Sequence, residues 1–146
     1  MGQGDGREVE WLDTLVDGVR AIHELMLEVG GGAQGEHTAS LYAACARPFQ
    51  SAFGESIYMD AYERTAAILH GIICDHVFVD GNKRTGTGTA MLFLTSASVL
   101  AVPDEHEDLR LALLGEVALA TASGKLTVDQ VAFWVRRIFA PVEPSE

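Results

Sequence analysis

From Glu8 onward the apolar residues Trp11, Leu12, Leu15, Val19, Ile22, Leu25 and Met26 recur every three or four positions, which predicts a helix with one buried face. The run Gly30 to Gly32 ends it and opens a flexible loop. A second, short helix is predicted from Thr38 through Leu41 and Cys45, ending before Pro48. "RPFQSAFGESIYMD" has no helical period and reads as a loop or a small hairpin. Asp60 is a good N-cap for "AYERTAAILHGIICDH", whose Ala, Leu and Ile residues cover most faces, as in the central helix of a bundle. After a polar turn, "TGTGTAMLFLTSASVL" reads as another buried helix. Pro103 interrupts the chain. "EDLRLALLGEVALATASG" is an amphipathic helix closed by Gly124, and "TVDQVAFWVRRIF" is a last one, capped by Thr127 and ending before Pro141. The pattern predicts an all-α fold, with the polar turn joining two central helices.

A length of 146 residues suits one domain with a real core. Met1 to Arg7, glycine-rich and polar, is expected to be mobile; residues 8–140 form the domain and 141–146 a tail. The net charge of -11 argues against direct nucleic-acid binding and against an anionic membrane surface. No apolar run is long and charge-free enough to span a bilayer. Cys45 and Cys74 have no framework spacing and read as buried free thiols in a reducing cytoplasm.

Against that acidic background "HVFVDGNKRTGTG", His76 to Gly88, stands out. Lys83 and Arg84 are the only Lys or Arg between Arg64 and Arg110. A helix beginning near Asn82 would expose its first amides, a natural phosphate cradle. Gly81 permits close backbone approach, and Lys83 and Arg84 add formal charge. Asp80 is a hard oxygen ligand suited to Mg²⁺ beside nucleotide phosphates, and Asn82 could donate to a phosphate oxygen. His76 could take a proton from an attacking hydroxyl, and Phe78 would anchor the turn from inside. Taken singly, these residues also fit an ordinary turn: Asp80 as a cap, Lys83 and Arg84 solvated, His76 as a helix-terminal histidine.

The combination resembles the signature of the Fic/Doc family, H-x-F-x-[D/E]-x-N-x-R, in the form of its Doc (death-on-curing) branch. "AIHELM", "ASLYAACARP", "YERTAAILHGIICDH" and "GKLTVDQVAFWVRR" resemble matching segments of Doc-type proteins in the same order, from about Trp11 to Arg137. The resemblance implies a compact α-helical fold that binds Mg-ATP at the turn and modifies a protein hydroxyl. It implies His76 as general base, Phe78 as anchor and Asp80 as the magnesium ligand, with Gly81, Asn82, Lys83 and Arg84 at the phosphates. The loop before Tyr58 would be the flap that aligns the target.

Members that transfer AMP read H-P-F-x-[D/E]-G-N-G-R-x-x-R. Here Lys83 stands in place of the small glycine and Thr87 in place of the second arginine, which removes a bidentate fork for the outer phosphate. By resemblance to the Doc branch, the expected reaction is transfer of the γ-phosphate of ATP to a Ser or Thr hydroxyl, with elongation factor Tu as target, so that translation stops. AMP transfer and a catalytically idle binding module are the alternatives. The nearest match to the family's inhibitory pattern [S/T]-x-x-x-E-[G/N] is "SAFGES", Ser51 to Ser56, and it reads as chance. The resemblance then implies an inhibitor in trans, a Phd-type antitoxin, and the acidic chain favours an antitoxin tail with basic residues.

Outside the turn, His70 and Cys74 are one helical turn apart and read as packing residues rather than zinc ligands. His23 and His106 lack motif context and read as ordinary helix or surface residues. Trp11 and Trp134 are expected to close the core. Gly86 and Gly88 either cost little near a helix start or loosen the site; the pattern leaves both open.

Overall fold

The computed structural model describes residues 6–100 and 104–140. Most of the expected mobile N-terminal segment, the break at Pro103 and the tail lie outside the described residues. Helix α1 (Gly6–Gly30) starts two residues before Glu8 and runs to the glycine cluster, where Gly31 turns left-handed at φ 73°. Helix α2 (Thr38–Ala46) continues as a 3-10 turn, Arg47–Phe49, in which Pro48 is tolerated because a first helical turn needs no amide there. Strands β1 (Ser51–Ala52) and β2 (Glu55–Ser56) form a small antiparallel hairpin with Phe53 and Gly54 at its corner, both at positive φ. "SAFGES" is therefore a hairpin, a shape that cannot act as an inhibitory helix.

Helix α3 (Ala61–Cys74) begins where Asp60 Oδ1 accepts from Glu63 N at 2.9 Å. It packs against α2, against α4 (Asn82–Ser96), α5 (Glu107–Ala122) and α6 (Val128–Phe139), and is the central helix the pattern predicted. Thr127 and Gln130 complete a reciprocal cap on α6, and Gly124, at φ 75°, follows the end of α5. The glycines of α4 are contact points. A Cβ on Gly86 would stand 3.3 Å from Ile73 of α3, and one on Gly88 would stand 2.8 Å from Ile22 of α1. They let two helices close on the start of α4 instead of loosening it.

Two groups of buried side chains fill the interior. One joins Leu69, Ile73, Leu94, Leu114, Val131, Val135 and Phe139 from α3 to α6. The other joins Val16, Val19, Leu41, Ile68 and Ile72 to Val77 and Phe78 of the polar turn. The two tryptophans do not close this core, contrary to expectation. Trp11 is 38% and Trp134 44% exposed, edge-on to Phe49 and Phe133 respectively, because β-branched and Leu side chains already fill the interior. Among the described residues no helix is long and apolar enough to cross a membrane.

Candidate active site

The turn between α3 and α4 starts with a helix end of unusual composition. Asp75 is the C-cap of α3, and His76 follows at φ 48°. His76 N donates to Ile73 O and Val77 N to Ile72 O, both at 3.4 Å, the pattern usually closed by glycine. A residue with a Cβ pays about 1–2 kcal/mol for this conformation, so its presence marks a constrained position. It leaves the imidazole exposed while Val77 and Phe78, immediately after, plunge into the core. The Phe78 side chain is 2% exposed and packs with the cluster of α1, α2 and α3.

Asn82 and Arg84 depart from the expectation that their side chains face phosphates. The Asn82 amide clamps the backbone of Phe78: Oδ1 accepts from Phe78 N at 2.9 Å and Nδ2 donates to Phe78 O at 2.8 Å. Arg84 reaches the end of α1, donating from Nη1 to Met26 O at 2.6 Å and from Nη2 to Gly31 O at 2.8 Å. It places its charge at the C-terminal end of α1, where the carbonyl oxygens attract a cation. Lys83, by contrast, is exposed. Gly81 precedes α4 at φ 82°, and no side chain caps the helix. Thr85 N is bonded to Gly81 O at 2.9 Å, so the amides of Asn82, Lys83 and Arg84 have no intrahelical partner.

Asp80 is held by amides. Its Oδ1 accepts from Gly81 N at 2.8 Å and its Oδ2 from Ala33 N at 3.2 Å. These bonds, Ala33 first, hold its carboxyl below the usual aspartate range, with Arg84 and Lys83 adding to the effect. An ionised, exposed carboxylate beside an uncapped helix start fits Mg²⁺, which binds through one or two carboxylates together with substrate phosphates. Among the described residues no cluster of three His, Cys, Asp or Glu could form an all-protein metal cage. His70 Nε2 and Cys74 Sγ are 3.5 Å apart, and burial raises the Cys74 thiol above its ordinary pKa. Cys45, fully buried, is pushed up to about 12 by burial.

Several residues that build the site lie outside the motif and were not singled out from the sequence. His23 of α1 is not a surface residue: it is 5% exposed and stacks on Phe78 with ring centroids 3.9 Å apart and planes 7° apart. The loop after α1 runs beside the turn, with His37 N donating to Val77 O at 2.7 Å and Val79 N to Gly35 O at 3.0 Å. Glycines permit this approach, since a Cβ on Gly32 would sit 2.6 Å from Asp80 Oδ2 and one on Gly35 2.8 Å from Val79. Their clustering was the one available hint. The Arg20 guanidinium grips both carboxylate oxygens of Glu36 at 2.7 and 2.8 Å and fastens the loop to α1. Two cavities flank the turn. One, of about 520 Å³, is lined by Arg20, His23, Gln34, Glu36 and Phe78 among others. The other, of about 530 Å³, lies between Lys83, Arg84 and Thr87 on one side and Leu111, Gly115 and Leu119 of α5 on the other.

An all-helical domain whose central helices are joined by an H-x-F-x-D-x-N-x-R turn, with the amides of the second helix left open, has the features of one protein class. The model of the Fic/DOC family matches residues 11–94, and the chain belongs to that family. Toxin Doc of Mycolicibacterium smegmatis is 35% identical to it over 89 residues, 61% of this chain and 68% of that protein. Protein kinase doc of Escherichia phage P1 is 28% identical over 123 residues, 84% of this chain and 92% of the phage protein.

Proposed function

We propose that this chain is the toxin of a toxin–antitoxin pair and a protein kinase that moves the γ-phosphate of ATP to a Ser or Thr hydroxyl. The observation that carries the reading is the uncapped start of α4 beside Lys83 and an ionised Asp80. Phosphoryl transfer asks a protein mainly for positioning and charge stabilisation, which such a cradle supplies. The backbone amides from Asn82 to Arg84 and the Lys83 ammonium would bind phosphate oxygens, and Asp80 would hold Mg²⁺, which neutralises charge on them. Arg84 contributes its charge from its tether on α1. His76, exposed at the turn's far end, would accept the proton of the attacking hydroxyl. The apolar α5 wall of the 530 Å³ cavity gives a nucleoside a surface to lie on. The names of the two relatives support the reading: one is called a toxin, the other a protein kinase. The hairpin around Phe53 would serve as the flap, elongation factor Tu as the target, and a Phd-type antitoxin in trans as the inhibitor.

The test uses purified protein, Mg²⁺, elongation factor Tu, and ATP labelled at the γ-phosphate or in the adenine ring. Transfer of the γ-label alone, reduced at least about a hundredfold in His76→Ala, is the expected result. Adenine label on the factor would replace phosphoryl transfer by AMP transfer. The absence of both labels, with Mg-ATP still bound, would remove this factor as target.

A further inference from the structure

The proposed roles leave His23 unused, although it is the most deeply buried titratable side chain near the turn. It meets the motif at Phe78 and Asp80 and lies beside Gly81. Its ring lies flat on Phe78, its Nε2 is 2.8 Å from the backbone oxygen of Asp80, and its Cδ2 would be 3.5 Å from a Cβ on Gly81. A carbonyl oxygen can only accept, so Nε2 carries the proton in this contact. The peptide whose oxygen His23 holds belongs to the residue whose carboxylate is bound by Gly81 N and Ala33 N. Arg20, one turn earlier on α1, is fixed by Glu36, so the helix that presents His23 is tied to the loop on the other side of Asp80.

We infer that His23 is a positioning residue that holds Asp80 in place by donating a hydrogen bond to its backbone carbonyl while its ring backs Phe78. The inference rests on the reading of Asp80 as the magnesium ligand. Hydrogen-bonded supports of a metal ligand matter because a carboxylate free to swing binds a cation less well, and losing one typically costs about 10–100-fold in metal affinity or activity. The two contacts of His23 are separable. His23→Phe keeps a ring on Phe78 and deletes the donor; His23→Gln removes the ring and carries an N–H group at the same reach from the backbone.

The experiment compares wild type, His23→Phe, His23→Gln and Asp80→Ala in three measurements. These are ATP affinity by calorimetry with and without Mg²⁺, solvent exchange of the Ala33 and Gly81 amide hydrogens by NMR in the ligand-free protein, and thermal melting. In His23→Phe the gain in ATP affinity conferred by Mg²⁺ should fall about tenfold. The two amides should exchange faster, while ATP affinity without Mg²⁺ stays unchanged. His23→Gln should restore both the Mg²⁺ effect and the slow exchange. Wild-type behaviour of His23→Phe in both respects overturns the inference. So does a parallel loss in both variants of ATP affinity without Mg²⁺ and of melting temperature, which means packing alone. If Mg²⁺ confers no gain on wild type, or Asp80→Ala retains it, the magnesium reading of Asp80 fails; amide exchange still decides whether His23 holds that residue.

Discussion

Single residues in the turn do two kinds of work, and neighbouring positions divide them. His76 and Lys83 are exposed, whereas the side chains of Asn82 and Arg84 are spent on Phe78 and on the end of α1. A motif pattern records residue types and cannot show that an asparagine two positions after an aspartate bonds backward to the backbone. The glycines opposite are equally specific. Gly32 lies at φ 122°, and any Cβ there meets Asp80 Oδ2. Gly32→Ala should therefore lose about 1–2 kcal/mol of stability in urea denaturation, the usual cost of forcing a Cβ into such a conformation, and should also weaken Mg²⁺-dependent ATP binding. Unchanged stability would mean that the loop does not press on the turn.

At the scale of elements, local chemistry decides where helices begin. Asp60 both caps α3, through Glu63 N, and pairs with Arg136 of α6 at 2.7 Å. Asp60→Ala should destabilise by about 1–2 kcal/mol, about 1 from the cap and the rest from an exposed ion pair. Arg136→Gln should cost less than about 1 kcal/mol, since it leaves the cap intact. Equal losses in the two variants, read from chemical denaturation, would place the effect in the ion pair instead. Cap residues and helical periods were legible: Asp60, Thr127 and Gly124 mark real boundaries, and the aperiodic stretch before Tyr58 is the hairpin. The 3-10 turn at Arg47–Phe49 was not, because a proline in a first turn looks the same as a break.

For the whole molecule, the fastening between α1 and the loop at Glu36 should contribute to the loss of stability in acid. The hydrogen bonds from Arg20 hold the Glu36 carboxyl below its ordinary value of 4.5. A carboxylate depressed in the folded state contributes stability that is complete above the unfolded value and disappears as pH falls through the folded one. The melting temperature of wild type should therefore drop more steeply between about pH 5 and pH 3 than that of Glu36→Gln. Parallel curves for the two proteins would assign acid sensitivity to other carboxylates.

What the sequence by itself determined are the features set by neighbours along the chain: the all-α class, the central place of α3, the turn and its inward Phe78, and the family pattern from His76 to Arg84. Each leaves a periodic or positional trace, because helices, caps and turns depend on residues a few positions apart. Only the tertiary structure decided that His23 lies under the turn and that Arg84 faces α1. Their bonds span 57 and 58 positions, to Asp80 and to Met26. Such pairings arise when packed helices bring unrelated stretches together, and a lone histidine or one more arginine carries no local mark of the partner it will meet.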